Sequence, residues 1–264
     1  MDFTDTQLRR YARHIVLPEI GGAGQERLNR ASVLVVGAGG LGSPLLMYLA
    51  AAGVGRLGIV DDDRVELTNL HRQIIHRESA LGQSKLESAR RTLADINPDT
   101  RVELHETRFS AANALDILAG YDLVADGSDN FATRYLANDA AMLSKKPLVS
   151  ASVLKFEAQI ATFRAFDGGG RPCYRCLYPE APAPGPVPSC AEGGVMGAVV
   201  GVAGSLQASE VIKEILGLGE SLAGHLLLYD ALGTRFRKIR VPADPACPLC
   251  GANPTIRDLG HHGA

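Results

Sequence analysis

Apolar and polar positions follow two different rhythms along this chain. Residues 32–37 (SVLVVG) are a continuous apolar, β-branched run ending in glycine, the pattern of a strand buried on both faces. Residues 41–52 then read as a helix, and 56–61 (RLGIVD) as a second strand. The spacing predicts a helix over 84–96 (SKLESARRTLADI), stopped by Asn97-Pro98. Further strands are expected at 102–106, 122–125 and 147–152, with helices at 111–119 and 131–143 between them. Strands alternating with helices imply a Rossmann-like α/β fold, a mainly parallel sheet with helices on both faces.

The pattern changes after residue 152. Residues 156–166, 225–231 and 235–241 predict an antiparallel C-terminal extension, and about 196–216 one long helix. Between them, 181–188 (APAPGPVP) fits neither a ladder nor a helix interior, so an exposed, mobile loop is expected there. The longest apolar run, 195–206, is too short and too soon followed by Gln207, Glu210 and Lys213 to span a bilayer. No apolar signal core opens the chain, which makes the cytoplasm the expected location.

Charge and composition narrow the partners. A formal net charge of −2 gives no long-range attraction to nucleic acid or to an anionic membrane. With aromatics at 5% and no Trp, a base-stacking surface for single strands is not expected either. The five cysteines form two Cys-x-x-Cys pairs, Cys173/Cys176 and Cys247/Cys250, with Cys190 left over. That arrangement points to metal thiolates in a reducing compartment, and four thiolates suit a closed, structural zinc site. Two unrelated pairs of free thiols also fit the spacing.

Gly37-Ala38-Gly39-Gly40-Leu41-Gly42 matches G-x-G-x-x-G between a strand and a helix, where bare backbone and a helix N-terminus accept a phosphate. Asp61 ends the next strand, placed to bind ribose hydroxyls, with Asp63 just beyond it. These residues alone suit an NAD-dependent oxidoreductase equally well. Asn69, Arg72, Gln73, Lys85, Asp129 and Asn130 separate the readings, because they fall at successive strand ends that converge on one crevice. Together they supply a ribose anchor, phosphate cations and a magnesium ligand, as nucleotidyl transfer from a triphosphate requires. Each has a plainer reading as well: a single Arg or Lys as a solvated charge, Asp129-Asn130 as the cap of the next helix.

GAGGLG, NLHRQ, GQSK, SDN, CYRC and CPLC, in that order, resemble the MoeB/ThiF family of adenylyltransferases, relatives of the ubiquitin-activating enzymes. RYARHIVLPEIGGAGQERL resembles that family's N-terminal segment, so the likeness runs from Arg10 to Gly251. The resemblance implies ATP-dependent adenylylation of the C-terminal Gly-Gly carboxylate of a small ubiquitin-like sulfur carrier, MoaD- or ThiS-like. It implies MgATP with phosphates near Gly40 and Gly42, ribose at Asp61, and Asp129 on magnesium. Asn69, Arg72 and Lys85 would contact phosphates and reacting groups, and Arg13 would cross a homodimer into the partner's site. Cys190 is expected either to take up the activated carrier covalently or to be a spare thiol. None of the histidines is assigned chemistry, and His261-His262 are expected in a frayed tail.

On this reading residues 1–264 form one ThiF-type domain: a helical arm (1–30), a nucleotide-binding half (31–152), a carrier-binding and zinc half (153–251) and a tail (252–264). The chain ends soon after CPLC, so sulfur is expected from a separate protein such as a cysteine desulfurase or rhodanese. The pathway served, molybdopterin, thiamine or tRNA thiolation, stays open.

Overall fold

Ser32–Val36 forms strand β1, and all five of its residues are buried in the computed structural model, which describes residues 3–182 and 193–263. Full burial follows from its neighbours. β1 pairs in parallel with β2 (Arg56–Val60) on one side, and helices cover both faces. β3 (Arg101–His105) lies outside β2, while β4 (Leu123–Asp126) and then β5 (Leu148–Leu154) extend the parallel sheet on the other side of β1. β6 (Glu157–Phe163), β7 (His225–Asp230) and β8 (Arg235–Arg240) follow antiparallel. The order is β3-β2-β1-β4-β5-β6-β7-β8, one continuous sheet. The expected class, a parallel α/β sheet with an antiparallel extension, is what forms.

The helices are α1 (Asp5–Arg10), α2 (Ala12–Ile15), α3 (Gly21–Arg30), α4 (Gly42–Ala51), α5 (Lys85–Ile96), α6 (Ala114–Ala119), α7 (Phe131–Leu143), α8 (Tyr174–Leu177) and α9 (Gly197–Leu216). Leu45, Leu49, Leu86, Leu93 and Val211 join one core from α4, α5 and α9. Leu118, Tyr135, Leu136 and Ala140 join the second from α6 and α7. Each fully buried leucine contributes about 1.5–3 kcal/mol. α6 starts later than the pattern predicts. Asn113 accepts the N–H of Ser110 at 2.9 Å and donates to the Arg108 carbonyl at 3.0 Å, holding the chain in a turn there.

α9 does more than cover the sheet. Its buried Gln207 donates Nε2–H to the carbonyls of Asp126 (2.8 Å) and Val149 (2.9 Å), bridging β4 and β5 from the helix side. At the far edge, all six residues of β8 are exposed, and four of them are basic: Arg235, Arg237, Lys238 and Arg240. Of the Pro-rich segment 181–188, residues 183–188 lie outside the described residues, as does Cys190.

The tail differs from expectation. Leu259 is buried, and Gly260–His262 form a short turn against α7. There His261 and His262 donate Nε2–H to Asp139 Oδ2 at 3.0 and 2.8 Å. Asp139 is fully buried and also accepts from Arg175 Nε (2.8 Å), Arg175 Nη2 (2.7 Å) and Asn138 Nδ2 (2.9 Å). The reason is the carboxylate, which must fill its lone pairs once removed from water, and the tail supplies donors. Burial opposes the charged form of Asp139, but the Arg175 guanidinium outweighs it and holds the carboxyl below its usual range. The stability this gives is present above the unfolded carboxylate value and is lost as pH falls through the lowered one. Asp139→Ala should cost about 3 kcal/mol at neutral pH, since it strands a buried guanidinium. Urea unfolding measures it, and an unchanged midpoint would remove Asp139 from the stability account.

Candidate active site

β1 and β4 are adjacent and parallel, yet the chain leaves β1 toward β2 and leaves β4 toward β5, on the opposite side. The loops after the two strands therefore part, which opens a crevice at their carboxyl ends. A cavity of about 740 Å³ sits there. Gly37, Gly39, Gly40, Asp61, Asp63, Arg72, Gln73, Lys85, Asp129 and Asn130 all line it. Gly42, Asn69 and Arg13 do not.

The glycine loop is held by backbone and carboxylate. Gly37 N–H donates to the Val60 carbonyl at 2.8 Å, and Ala38 N–H to Asp61 Oδ2 at 2.8 Å. Gly39 N–H and Gly40 N–H are left without a partner among the described residues, and both residues face the cavity. A Cβ on Gly42 would run into the Gly37 carbonyl oxygen, so the last glycine of the motif lets α4 start flush against the loop. Asp61 also accepts the Asp63 N–H at 2.9 Å. Burial raises its carboxyl above the usual range, while Lys85 pulls the other way.

Asn69 acts from behind the cavity wall. Its Oδ1 accepts the Glu66 N–H at 3.1 Å, and its carbonyl accepts the N–H groups of Arg72 (3.1 Å) and Gln73 (2.9 Å), shaping the turn that presents both. Arg72 Nη1 donates to the Thr68 carbonyl at 2.9 Å, with its stem lying over Gly40. Lys85, at the start of α5, is buried and reaches Asp63 Oδ2 at 2.7 Å. Asn130 accepts the Thr133 N–H at 2.9 Å and so caps α7, the plainer of its two expected roles. Asp129 is exposed on the cavity wall and makes no hydrogen bond or ion pair among the described residues. Arg13 is exposed on α2.

Several residues at the site went unread in the sequence. Asp126, fully buried at the end of β4, accepts from Ser128 N–H (3.0 Å), Ser128 Oγ (2.6 Å) and Ser150 Oγ (2.9 Å). Arg134 stands 3.4 Å from it and donates to the Ser128 and Ala151 carbonyls. This web fixes the loop that carries Asp129. The Asp-x-Ser spacing was the available signal, an Asx turn closing a strand. Arg108 brings one more cation to the cavity. His76 is buried between Ala38 and Ser88, with burial lowering its pKa to about 4.

The residues fit a polyanionic nucleotide. Gln73 Oε1 is buried at the cavity without a donor, and a Cβ on Gly40 would come within 2.8 Å of Val200 Cγ1, so only bare backbone leaves that floor open. Unpaired N–H groups, Arg72 and Lys85 converge with three carboxylates, Asp62, Asp129 and Glu157, that have no side-chain partner among the described residues. Such a set can neutralise phosphates and hold a divalent cation.

Away from the cavity, Cys173, Cys176, Cys247 and Cys250 assemble from segments about seventy residues apart. The Sγ separations are 3.5 Å (Cys173–Cys247), 3.4 Å (Cys176–Cys250), 3.4 Å (Cys173–Cys250) and 4.0 Å (Cys173–Cys176). Tetrahedral zinc thiolates stand about 3.8 Å apart, from a bond of about 2.3 Å, so the cluster fits such a metal. Hydrogen bonding with Cys173 lowers the Cys176 thiol below its ordinary value. Between the first two cysteines, Tyr174 reaches the cavity wall, so the knuckle also shapes the crevice.

Fold and crevice together define an α/β protein with a cavity at the carboxyl ends of its parallel strands whose lining can take a phosphate-bearing ligand. The chain belongs to the ThiF family, whose pattern matches residues 11–249. It is 54% identical to a protein named sulfur carrier protein adenylyltransferase from Thermus thermophilus, over 98% of this chain and 96% of that one. It is 50% identical to adenylyltransferase and sulfurtransferase MOCS3 of Aedes aegypti, and 53% to the probable adenylyltransferase/sulfurtransferase MoeZ of Mycobacterium tuberculosis. Those alignments cover 97% and 92% of this chain but only 58% and 62% of the relatives. Among solved structures, Escherichia coli MccB has the same fold, with a TM-score of 0.78 at 24% identity over 96% of this chain and 75% of that one. A further MccB structure, bound to ATP, superposes with a TM-score of 0.76 over 94% of this chain and 75% of that one. Among the described residues no helix is long and apolar enough to cross a membrane.

The depressed His76 pKa gives a pH dependence with a definite sign. Between about 6.5 and about 4 the unfolded chain takes up a proton that the folded imidazole refuses. Stability should therefore drop as pH falls through that window, and His76→Gln should remove that part of the slope. Urea midpoints at half-unit pH steps would show it, and identical slopes for both proteins would contradict it.

Proposed function

We propose that this chain catalyses ATP-dependent adenylylation of the C-terminal Gly-Gly carboxylate of a small ubiquitin-like sulfur carrier. The observation that carries this reading is the convergence of Gly39, Gly40, Arg72, Lys85 and Asp129 on one cavity, in a chain half identical to proteins named for that activity. The same relatives set aside the NAD-dependent oxidoreductase that the glycine loop alone allowed.

The carrier carboxylate is ionised at neutral pH and needs no general base. One of its oxygens attacks the α-phosphorus, forming the acyl-phosphate bond as the bond to the bridging oxygen of the β-phosphate breaks. Pyrophosphate leaves with that electron pair. Two anions must meet for this, so the work of the residues is alignment and charge neutralisation. Free glycine N–H groups and Lys85 would hold the phosphates, Arg72 the reacting groups, and Asp61 the ribose through whatever acceptor capacity the loop leaves it. Asp129 would hold magnesium, which when bound supplies neutralising charge to the triphosphate. Lys85 is paired with Asp63, so nucleotide entry exchanges one anionic partner for another.

Arg13, exposed on α2, would serve the partner's cavity in a homodimer. Cys190 would receive the activated carrier if transfer proceeds covalently, with sulfur delivered by a separate cysteine desulfurase or rhodanese. The four-cysteine cluster would hold zinc, clipping the segment after β8 to the knuckle that presents Tyr174. The cytoplasm, where those thiols stay reduced, is the proposed location.

Arg72→Ala and Lys85→Ala should each lower carrier-dependent ATP–pyrophosphate exchange about 10²–10³-fold without lowering the melting temperature. Exchange at the wild-type rate in either variant would take that residue out of the mechanism. If MoaD- and ThiS-like carriers with ATP yield no adenylate by mass spectrometry, the function itself is wrong. Protein purified without chelators should carry one zinc per chain, and stripping it should lower the melting temperature. Elemental analysis showing no metal would reassign the cysteines as free thiols.

A further inference from the structure

His76 is a buried titratable side chain that the reaction above leaves unused, and it sits directly behind the glycine loop. Its Nε2 lies 2.9 Å from the Ala38 carbonyl oxygen, and its Nδ1 lies 2.9 Å from Ser88 Oγ. A carbonyl oxygen only accepts, so Nε2 must carry the proton. The ring is neutral, so Nδ1 accepts from the Ser88 hydroxyl. Both ring nitrogens are thereby committed, and the imidazole cannot turn without losing a hydrogen bond.

The consequence lies in the peptide that His76 holds. Carbonyl and N–H point in opposite directions across a planar trans peptide. Drawing the Ala38 carbonyl inward, toward His76, turns the Gly39 N–H outward, away from the imidazole. Gly39 lines the cavity, whereas Ala38 is fully buried. The preceding peptide is fixed independently, because Ala38 N–H donates to Asp61. Glycine on the far side offers no side chain to hold this peptide. The next peptide is anchored too, because the Gly39 carbonyl accepts from Ser43 N–H at 2.9 Å and Ser43 Oγ at 2.6 Å. Without the imidazole, the Ala38–Gly39 peptide between them loses its own side-chain anchor, and its N–H is less firmly aimed.

We infer that His76 is a positioning residue that locks the Ala38–Gly39 peptide so that the Gly39 N–H is aimed at a nucleotide phosphate. Ser88 lies one turn beyond Lys85 on α5, so His76 also ties the helix that carries the phosphate cation to the loop that carries the phosphate N–H. Ile75, beside it, is fully buried, and its carbonyl accepts from Thr92 Oγ1 at 2.7 Å, which fixes the segment bearing the imidazole against the same helix. The inference rests on the adenylyltransferase reading and assigns a support to its phosphate site.

The test compares binding of ATP and of adenosine, which shares the base and ribose but lacks phosphates. His76→Phe keeps the ring but lacks the donor. It should raise the dissociation constant for ATP about tenfold, one hydrogen bond to a charged oxygen, and that for adenosine less than about twofold. His76→Gln, whose amide can donate to the same carbonyl, should recover most of the ATP affinity. Ser88→Ala keeps the imidazole but frees its far side. It should show a smaller loss, about threefold and again confined to ATP, and it carries the test if His76→Phe does not fold. Parallel weakening of both ligands, or unchanged ATP binding in Ser88→Ala and any folded His76 variant, overturns the inference. Wild-type protein that fails to bind ATP would instead overturn the adenylyltransferase reading.

Discussion

The site depends on one topological constraint. Two adjacent parallel strands, β1 and β4, send their following segments to opposite sides, which leaves a crevice between them. Everything chemical then follows from what the chain places on the two lips. One lip is bare glycine backbone, whose Gly39 and Gly40 N–H groups have no partner among the described residues. The other, after β4, is a tight turn braced by the fully buried Asp126, which accepts from two serines and stands beside Arg134. The bracing matters because Asp129 is exposed and makes no bond of its own among the described residues. A carboxylate without a partner of its own takes its placement from its neighbours.

The cavity also shows how a protein keeps cationic side chains in place at a cavity wall. Lys85 is buried, and a buried ammonium without a partner would shed its proton or move to water. Asp63 supplies that partner at 2.7 Å from a largely exposed position, which holds the lysine at the cavity wall. The Arg72 guanidinium is steadied by the Thr68 carbonyl instead, with its stem across Gly40.

Features legible in the sequence were those written locally. The β-branched run 32–36, the glycines after it and the helical spacing of 85–96 each depend on residues within a few positions, and each formed close to its expected place. The Cys-x-x-Cys pairs were legible too, because two such pairs carry the ligand spacing of a thiolate metal site. What stayed hidden depends on partners distant in sequence. Asn69 was expected against the nucleotide, yet its side chain and carbonyl build the turn behind it. His76 shows no spacing with other histidines, and its partners are a loop carbonyl thirty-eight residues earlier and a serine twelve residues later. The terminal histidines looked frayed because nothing local reveals that Asp139, more than a hundred residues before them, is buried and short of donors.

Among the described residues the sheet ends on β8, bonded on one side only, with an unpaired row of backbone donors and acceptors along the other. Such an edge is a ready template for another chain of the same kind. Here its side chains read Arg-Phe-Arg-Lys-Ile-Arg, all reaching solvent. Bringing two of these borders together would stack like charges at the closeness of paired strands, a repulsion that hydrogen bonds along the backbone would have to overcome. Like charges along that border therefore oppose edge-to-edge joining of copies.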